Sequence, residues 1–334
     1  MLNWLARLFS PRKPAAAAAV GAPAVAAPTL SPAAVAAVPN SPTVPTVPNA
    51  PDALPSVPGT AAVSAVFLPW LLGCAPLVGG PLTAAEQRAI AALDKTLALP
   101  ALPEDMLPRA AALIPQLLAM LRQSDLPVPA LAQRMSKDVV LTAEVMRLAS
   151  SPFYRAQGGV NDLAQAISLI GITGLNTVIS RVVLKPIYEV APGPLSARAS
   201  AHLWEHAQAL ATHAATEASA AGLSGFDGYL AGLLHGSGWM IALRVIDRAT
   251  ITVPLPATAG FAEACSERAH RLFGLAAERW NITPGFTELG VNAREVSLTS
   301  SGHPLLTALG RAQTRTMAEL APASGAVRLP SAAA

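Results

Sequence analysis

The sequence predicts an all-α protein, and three observations carry that reading. Aromatic residues make up only 4% of the 334 residues, too few for the aromatic and β-branched runs that strands favour. Alanine-rich stretches such as "RAAALIPQLLAML" and "HAQALATHAATEASA" place Leu and Met at helical spacing. Helix-capping signatures stand in front of several such stretches. Hydrophobic residues reach 52% against 13% charged, but Ala inflates the first figure and forms little core.

The formal charge of +3 is mild for this length, and the basic residues are scattered. No Lys/Arg cluster is interleaved with aromatics, so nucleic acid is not an expected partner. Cys74 and Cys265 lie far apart and match no metal spacing, which suits free thiols in a reducing, cytoplasmic setting.

The elements follow in order. Met1–Lys13 is a short segment with Leu2, Leu5, Leu8 and Phe9 on one helical face and basic residues around them. It reads as a weak docking helix for a membrane surface or partner, or as a frayed terminal turn. Residues 14–60 are Ala, Pro, Val and little else, a semi-stiff, disordered linker that cannot pack a core. Residues 61–98 form an N-terminal helical extension. Its "VFLPWLLG" is interrupted by Pro69 and Gly73 and suits a short helix docked on the domain better than a membrane span.

Thr83 and Glu86 form a capping box for a helix ending near Leu97, and "LPALP" stops it. Further helices are expected over Glu104–Gln123 with a kink at Pro115, Pro129–Met135, Asp138–Ala149, Leu163–Leu169 and Gly174–Tyr188, the last interrupted or ended near Pro186. Ser196–Ala221 and the nearly all-apolar Gly228–Arg248 come next; the latter belongs at the centre of a domain. Ser266–Trp280, Pro284–Val291 and Pro304–Leu320 complete the set, and 311–334 holds the last helix end and a loose tail.

The candidate chemistry lies in the histidines. His202, His206 and His213 share one helix at steps of four and seven, within a narrow sector of one face. His235, in "GLLHGSGW", sits on the next helix, where it can approach His206. His202, His206 and His235 are therefore the set that could make a weak metal or ligand contact. A divalent metal wants a third protein ligand or a carboxylate, and the residue after His235 is Gly236. Asp227 and Asp247 stand turns away. The expectation is no metal, no cofactor and no catalytic residue, with His206 and His235 as core histidines. The same stretch lacks the Gly-Lys-Ser/Thr ending of a phosphate loop. Gly232 reads as a close helix contact, and Gly236 and Gly238 as a break or a tight packing point.

Several ordered segments between Leu99 and Leu309 resemble the HDOD family, the HD-related output domain of bacterial signalling proteins. They are "ALPEDMLPRAAALIPQLLAML", "LAQRMSKDVVLTAEVMRLASSPFYR", "NDLAQAISLIGITGLNTVI", "HLWEHA", "GYLAGLLHGSGWMIAL" and "ERWNITPGFTE". The resemblance implies an HD-superfamily-like helical bundle over 99–310. Active HD proteins hold metal for phosphohydrolysis with a first His, a His-Asp pair and a later Asp. Matched residue by residue, His206 takes the first position, His235 the second, and Gly236 replaces the Asp. Ser150 replaces an expected Asn and Val139 an expected Pro, and "GFTELGVNA" lacks paired histidines found in relatives.

What the resemblance implies is a regulatory or scaffolding module in signal transduction, binding a partner protein or a signalling nucleotide without catalysis. The alternative is a divergent metal-dependent phosphohydrolase, or cyclic-dinucleotide phosphodiesterase, using His206, His235 and another carboxylate. A peripheral membrane contact through Met1–Lys13 is compatible with either.

Overall fold

The structure, a computed structural model, describes residues 60–106, 113, 117, 120, 126–151, 154, 160–189, 193–295 and 302–323. The segment 1–13, the linker up to residue 59 and the tail after 323 lie outside the described residues. So does most of the helix expected over 104–123, although Leu113, Leu117 and Met120 are helical and buried.

The helices are α1 (Thr60–Leu72), α2 (Ala84–Leu97), α3 (Val128–Met135), α4 (Val139–Ala149), α5 (Leu163–Leu184) and the single turn α6 (Pro186–Glu189). They continue as α7 (Pro194–Ala220), α8 (Gly225–Arg248), α9 (Ala259–Trp280), α10 (Pro284–Ala293) and α11 (Pro304–Ala323). Among the described residues there is no strand, and one isolated β-bridge joins Val78 to Thr258.

Local signals set many of these boundaries. The Thr83 hydroxyl accepts from the Glu86 N–H, and the Glu86 carboxylate accepts from the Thr83 N–H at 2.7 Å. That carboxylate also takes the Thr258 N–H at 2.7 Å, so the cap of α2 holds the start of α9 as well. Asp138 caps α4 through the N–H groups of Val140 and Leu141. Thr258 caps α9 through Phe261, which explains why α9 starts at Ala259 rather than at Ser266. The helix expected at 163–169 and the one expected from 174 are one kinked element, which ends at Leu184 just before Pro186, where an interruption was expected. The break sits at Gly171, whose φ of 65° favours a residue without a Cβ.

Helix α8 is the axis. Residues 228–246 are all buried, with α7 along one side and α9 along the other. A helix buried all round must be apolar all round, and α8 is long and apolar enough to cross a membrane while being fully buried within the bundle. The other stretch that passes this test, Leu163–Glu189, is half buried. Close approach is made possible by glycine. A Cβ on Gly228 would lie 2.5 Å from the Ala214 carbonyl oxygen, and one on Gly232 would lie 2.6 Å from Ala211 Cα. On the opposite side, a Cβ on Gly238 would collide with the Ala269 carbonyl and sit 2.9 Å from Phe273 Cβ. The helix runs unbroken through Gly236 and Gly238, so these are packing points and not a break.

Helix α1 is threaded into this core. Val66, Phe67, Leu68, Trp70, Leu71 and Leu72 are all buried against α7, α9 and α11. Burial is worth about 1.5–3 kcal/mol for each large apolar side chain, so α1 is firmly docked. Its C-terminal carbonyls are held by α7: Leu71 O contacts His202 Nδ1 at 2.9 Å, and Gly73 O accepts from Arg198 at 2.9 Å.

The α8–α9 contact yields a direct prediction. Gly238→Ala forces a Cβ into the α9 backbone and lowers stability by about 1–3 kcal/mol, the usual cost of overpacking. Gly79→Ala, where an added methyl would meet nothing within 4 Å, changes it by under about 0.5 kcal/mol. Urea unfolding of the two variants beside the parent checks this; equal midpoints for both would refute it.

Candidate functional site

The family-matched histidines sit where α7 and α8 cross beneath α1. The sequence placed His202, His206 and His213 on one face of α7, and the structure sends them to different neighbours. His206 is fully buried, its ring 4.8 Å from that of Phe67 and 6.2 Å from that of Trp70. His202 is half-buried beneath Trp70, 4.9 Å between ring centres. His213 contacts the Thr316 hydroxyl at 3.0 Å, with Glu319 3.3 Å from its other nitrogen. It serves the α7–α11 seam.

His235 and His206 share one buried neighbourhood but no hydrogen bond. His235 Nε2 lies 3.4 Å from Nδ1 of His270, on α9, and its ring packs edge-on against Phe273 at 5.1 Å. Neither ring nitrogen of His206 has a hydrogen bond of good geometry among the described residues. Gln313, on α11, interacts weakly with it and only tempers the effect of burial. Desolvation dominates both imidazoles. It pulls His206 down to about 4 and takes His235 well below the ordinary histidine range, where the neighbouring His270 and His206 add to the fall. Both rings are neutral at pH 7.

Gly236 is where an HD protein would carry its acid, and here Tyr188 fills that side. A Cβ on Gly236 would lie 3.2 Å from Tyr188 Cε1 and 3.3 Å from its hydroxyl oxygen. The phenol is fully buried and donates to the Leu233 carbonyl at 2.6 Å, and burial pushes its pKa up. The two nearest carboxylates in sequence are committed elsewhere. Asp227 accepts from the Thr283 hydroxyl at 2.5 Å, at the start of α10. Asp247 accepts from the N–H groups of Leu195 and Ser196 and from the Ser196 hydroxyl at 2.7 Å, capping α7 from the end of α8.

A divalent metal of the HD type does not fit these residues. The imidazoles of His206, His235 and His270 lie among aromatic rings, and no hydrogen bond or ion pair joins a described carboxylate to His206 or His235. Among those residues no three His, Cys, Asp or Glu side chains are grouped to hold an ion. The ring of Phe67 packs on both His206 and Trp239, 5.2 Å from the latter.

Sequence reasoning missed Tyr188, His270, Gln313 and the cover by Phe67 and Trp70. His270 offered one faint signal, since it lies beside Ala269, Leu272 and Phe273 on the buried stripe of α9.

Together, these helices and their packing define an all-helical, HD-like bundle. The HDOD domain family model matches residues 107–292, more than half the chain, and the chain belongs to that family. Solved structures align with the chain at low identity. A protein from Shewanella amazonensis SB2B, provisionally named a metal-dependent phosphohydrolase, aligns with a TM-score of 0.51 at 16% identity, covering 72% of this chain and 89% of its own. An HDOD domain protein from Geobacter sulfurreducens aligns at 0.46 and 20%, covering 69% and 78%. A provisionally named signal transduction protein from Marinobacter aquaeolei VT8 aligns at 0.38 and 17%, covering 78% and 55%. No curated protein matches the chain.

The buried imidazoles set a pH dependence. A group at about 6.5 unfolded and about 4 folded binds more protons unfolded. Its contribution is therefore complete above pH 6.5 and is lost as pH falls towards 4, by about 3 kcal/mol for His206 alone. His206→Leu flattens the decline in unfolding free energy between pH 7 and 4.5. Denaturant titrations across that range test it, and an unaltered slope in the variant would count against it.

Proposed function

We propose that this protein is a regulatory or scaffolding module of signal transduction that works by binding and carries out no reaction. The observation behind this reading is the Tyr188 phenol packed against Gly236. It occupies the side on which an active HD protein presents its metal-binding acid, and it is held there by its bond to Leu233. Phe67 and Trp70 close the opposite side over His206 and His202. The ligand proposed is a partner protein, since helix faces and grooves accept partner segments; a signalling nucleotide is the alternative ligand. Cytoplasmic residence belongs to the same proposal and agrees with a central helix buried within the bundle.

The phosphohydrolase reading, which the name of the Shewanella relative suggests, needs a carboxylate near His206 and His235. Asp227 and Asp247 could supply one only by abandoning the starts of α10 and α7. The test is metal content together with hydrolysis of bis(p-nitrophenyl) phosphate by the full chain with Mn²⁺, Fe²⁺ or Zn²⁺. The expected result is sub-stoichiometric metal and no turnover above the protein-free rate. Stoichiometric metal, lost with turnover in His206→Ala, would overturn the proposal.

A further inference from the structure

With the histidines sealed inside, a binding role must be served from the outer surface, and one cleft there is built for a particular chemistry. It lies where the end of α2 meets α9 and α10, has a volume of about 310 Å³, and is lined by Leu97, Arg271, Leu275, Val291, Arg294 and Glu295. Val291 is 47% exposed, and Leu99, two residues beyond Leu97, is 37% exposed.

Its floor is rigid. Gly274 of α9 and Gly290 of α10 let the two backbones meet. A Cβ on Gly274 would lie 2.8 Å from the Arg294 nitrogen and from the Gly290 carbonyl oxygen. That contact places Arg271 beside the end of α10, where its Nε donates to the Arg294 carbonyl at 3.0 Å. One donor is thus spent on fixing the guanidinium, and the two terminal nitrogens have no protein partner among the described residues. The neighbouring cations are satisfied. Arg294 pairs with Glu278 at 2.7 Å, and Arg268 pairs with Asp94 at 2.7 Å. Glu295 also lines the cleft, but it forms no ion pair with Arg271.

A guanidinium held by its Nε offers its two terminal N–H groups as a fork, the shape that receives both oxygens of a carboxylate. Leu97, Leu275 and Val291 supply an aliphatic wall beside it. We infer that this cleft is a docking site for an acidic, leucine-bearing segment of a partner protein, with a carboxylate on Arg271 and an aliphatic side chain against Leu275 and Val291. The inference rests on the non-catalytic binding role above and names the surface that performs it. Another cleft of similar size, about 390 Å³ beside Pro194 and Ile251, lacks such a group. Its Arg198 is bonded to Gly73 and its Asp247 caps α7.

The experiment is a fluorescence-polarisation titration of the full chain against two labelled peptides, Ser-Leu-Asp-Glu-Leu and its amide counterpart Ser-Leu-Asn-Gln-Leu. The expected result is saturable binding of the acidic peptide only. Arg271→Gln weakens it about tenfold, in the range of a hydrogen bond to a charged group. Arg147→Gln, a surface arginine of α4 paired with Glu144, leaves it unchanged. Circular dichroism confirms that each variant is folded. Equal binding of both peptides, indifference to Arg271→Gln, or no saturation by millimolar protein would overturn the docking site. None of these outcomes restores catalysis, which metal content and hydrolysis decide separately.

Discussion

The structure depends on how closely two neighbours approach the backbone of α8. Gly228, Gly232 and Gly236 recur every fourth residue along the side facing α6 and α7, while Gly238 faces α9. Side chains on those positions would hold the helices apart by the width of a methyl group or more, and a core of this density does not give way cheaply. Alanines on α7, at 211, 214 and 218, complete the fit from the other side. The same constraint that buries α8 so fully also brings His206, His235 and His270 into one dry neighbourhood.

Gly236 acquires its meaning from that pattern. Taken alone it is a missing acid; taken with Gly228 and Gly232 it is the third position of a packing ridge. Tyr188 packs against it, bonded to a carbonyl of the helix it touches. The buried imidazoles are costly to charge, which ties the stability of the core to pH. The recognition proposed above would fall to the outer helices, where Arg271 keeps unspent donors beside Leu275 and Val291.

Much of the fold was legible because its signals are local. The capping box of Thr83 and Glu86, the Asp138 cap and the all-round apolarity of α8 each follow from residues a few positions apart. The approach of His206 to His235 was legible from helical phase and from the resemblance to HDOD proteins. The covering of those histidines was not. Phe67 reaches His206 from α1, and Gln313 approaches it from α11, both outside the family-matched stretch. Nor does periodicity reveal that Tyr188, on a one-turn helix, is the group facing Gly236. Such contacts are set by tertiary packing, which leaves no repeat in the chain. The longer α9 and the joined α5 were missed for a smaller reason: the Thr258 cap is satisfied within the helix it starts, and Gly171 breaks the backbone without ending the helix.

The central claim is that the metal site has been replaced by packing and not merely emptied. Restoring the acid tests it most directly. The Gly236→Asp chain, melted with and without Mn²⁺, should unfold at a lower temperature than the parent and gain nothing from the metal, because Tyr188 occupies the space the carboxylate needs. A Gly236→Asp chain that folds as well as the parent and is raised in melting temperature by Mn²⁺, with the rise abolished by His206→Ala, would contradict the account.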